Sequence, residues 1–162
     1  MALLNIAEPG QSPLPHQKKR AIGIDLGTTN SLVAAVRAGR ADVLPDETGV
    51  KMLPSVVNYS DQKMPLVGAG AMALASQHPA DTLMSIKRFM GRGSRDAIRD
   101  AQRSHYRLVE GEEGLVRFIT SSGERSPVEV SADILRVLHQ RALETLGGEI
   151  DGAVITVPAY FD

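Results

Sequence analysis

Two alternating runs of apolar residues open the patterned part of the chain. In the first, at residues 21–26, Ile22, Ile24 and Leu26 alternate with less apolar positions. A period of two is typical of a half-buried β-strand. The second run spans residues 31–36, and the Gly-Thr-Thr-Asn sequence between the two favours a turn, so together they predict a hairpin. Short apolar runs predict further strands at residues 41–44, 55–59, 65–67, 106–109 and 115–119.

Helical patterns follow these strands. Residues 69–77 are rich in Ala, Met and Leu, which favours a helix. From Ser131, a residue type that caps helices, apolar residues recur at helical spacing as far as Leu146, and Gly147 then ends the helix. The uninterrupted apolar run at residues 153–157 is typical of a central strand covered on both faces. Hairpins followed by a helix and a central strand predict an α/β fold with a mixed sheet.

Composition narrows the class of protein. The chain has 162 residues with 43% hydrophobic residues and a net charge of −1, which predicts one globular domain with no basic field for nucleic acid or anionic lipid. It contains no cysteine, which excludes disulfides, thiolate metal sites and a cysteine nucleophile. Neither a membrane-spanning run nor a secretory signal is apparent. We therefore expect a soluble cytoplasmic protein that binds neither nucleic acid nor membrane.

The predicted turn at the end of the first strand has the composition of a phosphate-binding loop. Asp25 ends the strand, and Gly27 lets the backbone approach an oxyanion closely. Thr28, Thr29 and Asn30 add hydroxyl and amide groups. The Asp25 carboxylate suits Mg²⁺, directly or through water. Taken alone, the same residues also fit a plain hairpin with an Asx-type turn.

The complete string at residues 23–31, Gly-Ile-Asp-Leu-Gly-Thr-Thr-Asn-Ser, resembles the first phosphate motif of the actin-like ATPases, specifically the seventy-kilodalton heat-shock chaperones of the DnaK type. Residues 85–92 are similar to the lysine-bearing segment of that family, and residues 154–161 to its later strand and proline element. Sugar kinases and bacterial actin homologues share only the turn. The resemblance, which covers residues 21–162, implies the actin-like ATPase (ribonuclease H-like) fold and only the first part of a nucleotide-binding domain.

The resemblance also implies roles for particular residues. Residues 27–30 would contact the phosphates of ATP or ADP, and Asp25 would hold Mg²⁺ through water. Lys87 would be catalytic, reaching the γ-phosphate and orienting the attacking water; without the resemblance it fits a solvated surface lysine. Pro158 would relay the nucleotide state toward a substrate-binding domain, although a proline there also fits a strand terminator.

The family's domain organisation implies boundaries in this chain. Residues 1–19 carry three prolines and no sustained periodicity, so we expect them to form a flexible extension. Residues 20–53 would be the first part of subdomain IA with the phosphate loop. Residues 54–129 form subdomain IB, and residues 130–162 return to subdomain IA. Because the sequence stops after a strand of the buried type and before a covering helix, we expect it to be truncated.

Two classes of function follow. The proline-containing extension and the final Ala-Tyr-Phe-Asp resemble the branch that serves bacterial iron–sulfur cluster assembly. That branch implies an ATP-dependent chaperone with a J-domain co-chaperone and an iron–sulfur scaffold protein as client. The alternative is a non-catalytic fragment or interaction module. The resemblance implies that these residues form only one wall of the family's nucleotide-binding cleft, so we expect negligible ATPase activity from this sequence alone. A general folding chaperone and a sugar kinase of the same fold are further alternatives.

Overall fold

The computed structural model describes residues 20–61, 63–90, 105–111 and 114–156. Within these ranges it consists of strands, two α-helices and one 3-10 helix. The strands are β1 Ala21–Asp25, β2 Asn30–Arg37, β3 Arg40–Val43, β4 Leu53–Pro54, β5 Val56–Asn58, β6 Leu66–Val67, β7 Thr82–Met84, β8 Arg107–Glu110, β9 Val116–Thr120, β10 Gly123–Arg125 and β11 Gly152–Thr156. The helices are α1 Ala69–Ala73, the 3-10 helix Ile86–Phe89 and α2 Pro127–Leu146.

The main sheet has the order β11-β1-β2-β3, and β4 pairs with the first residues of β2. β1 and β2 are antiparallel, as are β2 and β3, whereas β11 runs parallel to β1. The predicted α/β class with a mixed sheet is therefore confirmed. Two smaller antiparallel sheets, β6-β5-β7 and β10-β9-β8, form the middle of the chain.

One continuous hydrophobic core joins these elements. The alternation in β1 buries Ile22 and Ile24, which belong to the same core as a stripe on α2 formed by Ile134, Leu138 and Ala142. Residues spaced by four lie on one face of a helix, so this stripe covers the sheet while the opposite face remains in solvent. α2 packs against β1, β2 and the 3-10 helix, and it is the support that these elements share.

Helix α2 begins earlier than the sequence pattern predicted. Its N-cap is Ser126, whose hydroxyl accepts a hydrogen bond from the Glu129 N–H, while the Glu129 carboxylate accepts one from the Ser126 N–H. This is a capping box with Pro127 at the first helical position. The prediction that Ser131 is the cap was wrong: its hydroxyl donates within the helix to the Pro127 carbonyl, at 2.8 Å. The predicted end at Gly147 is confirmed by its left-handed backbone, with φ of 63°.

Other elements also differ from the predictions. α1 ends at Ala73 rather than at residue 77, and β4, β7, β10 and the 3-10 helix were not predicted. All five residues of β11 are exposed, so the prediction of a strand covered on both faces was wrong for this structure. The reason is that β11 lies at the edge of the main sheet, while α2 packs against β1 and β2. No helix in the described part of the chain combines the length and hydrophobicity needed to cross a membrane.

Candidate functional site

The turn between β1 and β2 presents its polar groups at the surface. Asp25 is the last residue of β1, and its side chain is exposed. Leu26, which follows, is buried in the core and fixes the start of the turn. Thr29 and Asn30 are exposed, while Thr28 is half-buried. A carboxylate, two hydroxyls and an amide are therefore accessible on one short segment, which the buried side chain of Leu26 holds in the core.

Gly27 is required at its position by the tightness of the turn. A Cβ atom added there would lie 2.0 Å from the carbonyl oxygen of Asn30, far inside van der Waals contact. Gly23, on the preceding strand β1, has no atom within 4 Å of the corresponding position. A side chain at residue 27 would thus force the backbone of the turn to open, whereas one at residue 23 would not.

Two buried serines support the turn from beneath, and sequence reasoning assigned no role to either of them. The Ser55 N–H donates to the Thr29 carbonyl at 2.8 Å, and the Ser55 hydroxyl donates to the Gly27 carbonyl at 2.9 Å. The Ser31 hydroxyl lies 2.8 Å from that of Ser55 and accepts from the Gly27 N–H at 3.2 Å. Ser31 is the last residue of the phosphate-like string, but no local pattern marks Ser55.

The Asp25 carboxylate is oriented by a residue of β11. Asp25 and Thr156 are register partners in the parallel pair, and the Thr156 hydroxyl donates to Asp25 Oδ1 at 2.6 Å. No group of three acidic, histidine or cysteine side chains suited to a metal occurs among the described residues. A single carboxylate fits Mg²⁺ in particular, because this ion retains several waters and takes its other ligands from phosphates.

Lys87 lies on a short 3-10 helix held at both ends. Ile86 and Phe89 are buried in the core, while Lys87 is half-buried. Ser85, just before the helix, has a left-handed backbone with φ of 56°, which turns the chain sharply out of β7. The Lys87 carbonyl accepts from the Met90 N–H, but no ion pair or hydrogen bond joins the Lys87 side chain to another residue within the described ranges. Its ammonium group is thus available to a ligand.

Tyr106 contacts both sides of this helix. Its hydroxyl accepts from the Met84 N–H at 2.8 Å and lies 3.2 Å from the Met84 carbonyl. Its ring packs edge-to-face on Phe89, with the ring centroids 6.4 Å apart, and Phe118 completes the aromatic cluster. The position of Lys87 therefore depends on an aromatic residue from the segment that leads into β8.

The turn and the lysine helix belong to the same hydrophobic core. Both pack through buried residues into the one hydrophobic core, and α2 packs against β1, β2 and the 3-10 helix. No hydrogen bond or ion pair in the described part of the chain joins Lys87 to Asp25 or to residues 27–30. Pro158 lies outside the described residues; β11 ends at Thr156, two positions earlier.

A cavity of about 840 Å³ lies elsewhere, between the loop after β3 and helix α2. Arg141, buried on α2, donates to the carbonyls of Val50 and Lys51 and pairs with Asp46, so it fixes this loop. None of the predicted site residues lines the cavity. The candidate site is thus the exposed turn and not this open cavity.

Comparison with known proteins identifies the family. The family model described as Hsp70 protein matches residues 21–162, and this chain belongs to that family. The fold expected from the resemblance, the actin-like ATPase fold of the Hsp70 nucleotide-binding domain, is therefore confirmed for the part of that domain present here.

The chain is similar to curated relatives that share one printed name. Proteins from Laribacter hongkongensis (strain HLHK9) and Chromobacterium violaceum are each 60% identical over all 162 residues. A protein from Vibrio vulnificus (strain YJ016) is 56% identical over the same length. Each is named "Chaperone protein HscA homolog", and the match covers 100% of this chain but 26% of each relative. The chain spans about a quarter of the length of these relatives.

Proposed function

We propose that the complete protein carrying this sequence is an ATP-dependent chaperone of the HscA type, which assists the maturation of iron–sulfur cluster proteins in the cytoplasm. The observation that supports this proposal most strongly is the identity of 56–60% along the whole chain to proteins named HscA homolog. The phosphate-like turn supports it independently, because its exposed polar groups suit a nucleotide.

In this proposal the turn binds the phosphates of ATP and ADP. Backbone N–H groups at residues 28–30 and the hydroxyls of Thr28 and Thr29 would donate to the phosphate oxygens. Gly27, whose own N–H donates to Ser31, would let the backbone approach those oxygens closely. Asp25, oriented by Thr156, would hold Mg²⁺ through water. When bound, the magnesium ion neutralises negative charge on the phosphates. The chain's own contribution is to position these groups before the nucleotide arrives.

Lys87 is the proposed catalytic residue. An ammonium group is a compact point charge with three donors, which suits contact with the γ-phosphate and the attacking water. Phosphoryl transfer depends mainly on positioning and electrostatic stabilisation, so a lysine held on a rigid short helix fits that need. The buried Ile86 and Phe89 supply the rigidity.

The proposal also includes a division into subdomains and coupling to a client-binding part of the protein. We propose that residues 20–53 and 130–162 belong to subdomain IA and residues 54–129 to subdomain IB, with residues 1–19 as an extension. Pro158 would relay the nucleotide state toward the substrate-binding domain. The partners would be a J-domain co-chaperone and an iron–sulfur scaffold protein as client.

The first experiment measures ATP hydrolysis by the complete protein and two variants, Lys87→Ala and Arg88→Ala. Arg88 is the exposed neighbour of Lys87 and controls for loss of a positive charge on the same helix. We expect Lys87→Ala to lower kcat about a hundredfold or more, as loss of a charge-stabilising group does. Arg88→Ala should stay close to the parent. Equal activity of the parent and Lys87→Ala would contradict the catalytic role.

A second experiment tests the chaperone part. The complete protein is assayed with a bacterial J-domain co-chaperone and the scaffold protein of iron–sulfur cluster assembly, added singly and together. We expect the two together to stimulate ATP hydrolysis more than either alone, because client binding and nucleotide state are linked. Stimulation by unfolded model proteins but not by the scaffold would instead favour a general folding chaperone.

A further inference from the structure

We propose that Ser55, together with Ser31, is a positioning residue for nucleotide binding, closing a ring of hydrogen bonds on the backbone of Gly27. This inference rests on the proposed function, because it assumes that the turn binds nucleotide phosphates. The observation behind this inference differs from the one behind the proposed function. It concerns two buried hydroxyls beneath the turn and not the exposed groups of residues 28–30.

The direction of each hydrogen bond in the ring follows from counting protons. A serine hydroxyl has one proton to donate. Ser55 donates its proton to the Gly27 carbonyl, so in the 2.8 Å contact between the two hydroxyls Ser31 must be the donor. Ser31 in turn accepts from the Gly27 N–H. The ring therefore starts at the Gly27 N–H, passes through both hydroxyls and ends at the Gly27 carbonyl.

Because the ring is buried, the loss of one of its hydrogen bonds costs free energy that water cannot restore. The exposed fractions of Ser31 and Ser55 are 1% and 3%, so water cannot readily replace a lost partner. A buried polar group left unpaired costs more free energy than an ordinary hydrogen bond contributes. Both backbone groups of Gly27 are thus held in one orientation, and the Ser55 N–H also holds the Thr29 carbonyl.

The ring acts on the turn without contacting a ligand. Both serines are buried, and both of their hydroxyls donate hydrogen bonds to groups of the protein. The exposed polar groups of the turn lie instead on Thr29 and Asn30. Ser55 comes from the junction of β4 and β5, and β4 pairs with the start of β2 directly after the turn. The loss of Ser55 should therefore loosen the phosphate site while the catalytic lysine stays in place.

The test separates positioning from general stability. In the complete protein, Ser55→Ala removes the ring hydroxyl. Ser122→Ala removes a half-buried hydroxyl that also donates to a backbone carbonyl, that of Tyr59 at 2.7 Å, away from the turn. We measure ATP affinity by isothermal titration, steady-state kcat and KM, and the thermal unfolding of all variants. Ser31→Ala breaks the same ring at its other hydroxyl and provides the test if Ser55→Ala does not fold.

The expected result is a rise of about three- to tenfold in the ATP dissociation constant and in KM for Ser55→Ala, the range of one net hydrogen bond. kcat at saturating ATP should change less than twofold, and Ser122→Ala should retain the parent KM. Because the ring is one unit, Ser31→Ala with Ser55→Ala should weaken binding no more than the stronger single change. An unchanged dissociation constant in both single variants would overturn the proposal. Absence of ATP binding in the parent protein would instead overturn the proposed function, and the proposal with it.

Discussion

Thr156 donates a 2.6 Å hydrogen bond to Oδ1 of Asp25, joining residues 131 positions apart in the sequence. The bond exists because β11 pairs in parallel with β1 in a register that sets these two residues side by side. The carboxylate proposed for Mg²⁺ is thus oriented by the last described strand. A displacement of β11 would therefore change the orientation of the Asp25 carboxylate through this one hydrogen bond.

Replacing Thr156 with Val should weaken the use of Mg²⁺. The substitution keeps the shape of the side chain but removes the donor, so Oδ1 of Asp25 loses its fixed partner. We expect the Mg²⁺ concentration for half-maximal ATP hydrolysis to rise about three- to tenfold, the range of one net hydrogen bond. Thr156→Ser, which retains the hydroxyl, should lie closer to the parent. A Mg²⁺ dependence that is equal in all three proteins would disprove the orienting role.

Replacing Tyr106 with Phe should loosen the helix that bears Lys87. The ring remains to pack on Phe89, but the Met84 N–H loses its acceptor. We expect amide hydrogen exchange in the segment Ile86–Phe89 to accelerate about three- to tenfold, the range of one net hydrogen bond. Mass spectrometry of the exchanged peptides in the complete protein measures this change.

Tyr59→Phe is the matched control for that prediction. It also removes one tyrosine hydroxyl, which donates to Asp133 at 2.6 Å. Because this bond involves no residue of the segment Met84–Phe89, its loss should change exchange in the lysine helix less than the loss of the Tyr106 hydroxyl does. If both variants accelerate exchange there equally, Tyr106 has no specific role in holding Lys87.

The capping box of α2 should make stability depend on pH. The pKa of Glu129 lies below its ordinary value of 4.5, chiefly because the Ser126 N–H donates to the carboxylate, with Arg117 and Arg125 lowering it further. A carboxylate whose pKa is lowered by folding contributes stability above its unfolded pKa and loses it as the pH falls through the folded value. The advantage of the parent over Glu129→Gln should therefore be present near neutral pH and disappear in acid.

Urea unfolding of both proteins, at about pH 7 and about pH 4 and below, measures that difference. Glutamine keeps a side-chain acceptor for the Ser126 N–H but has no carboxylate to protonate. Subtracting the two unfolding free energies removes the titration of all other groups. A difference between the proteins that stays constant over this pH range would show that the charge of Glu129 does not contribute.

Patterns within short segments predicted much of the fold. The β1–β2 hairpin and the end of α2 followed from alternation and from Gly147, because each depends on neighbours in the sequence. The start of α2 was also marked, by Ser126-Pro127 and Glu129, but the apolar periodicity drew the prediction to Ser131 instead. The capping residues therefore indicate the first residue of this helix better than the apolar periodicity does.

Contacts between distant segments could not be predicted in the same way. Asp25 and residues 27–30 form one short string, so the candidate turn was visible in the sequence. Ser55 supports that turn from 28 positions beyond Gly27, and nothing near Ser55 marks its partner. The exposure of β11 was likewise hidden, because its apolar run indicates burial while its place at the sheet edge leaves it exposed.

The most direct test of the proposed phosphate site compares two glycine substitutions on one strand and its turn. Gly27→Ala sets a Cβ 2.0 Å from the Asn30 carbonyl oxygen and must open the turn, whereas Gly23→Ala meets no atom within 4 Å. In the complete protein, titration with magnesium and ATP should show at least a tenfold loss of affinity for Gly27→Ala and nearly parental affinity for Gly23→Ala. Circular dichroism establishes that both variants are folded. Parental ATP affinity in a folded Gly27→Ala protein would contradict the assignment of this turn as the nucleotide site.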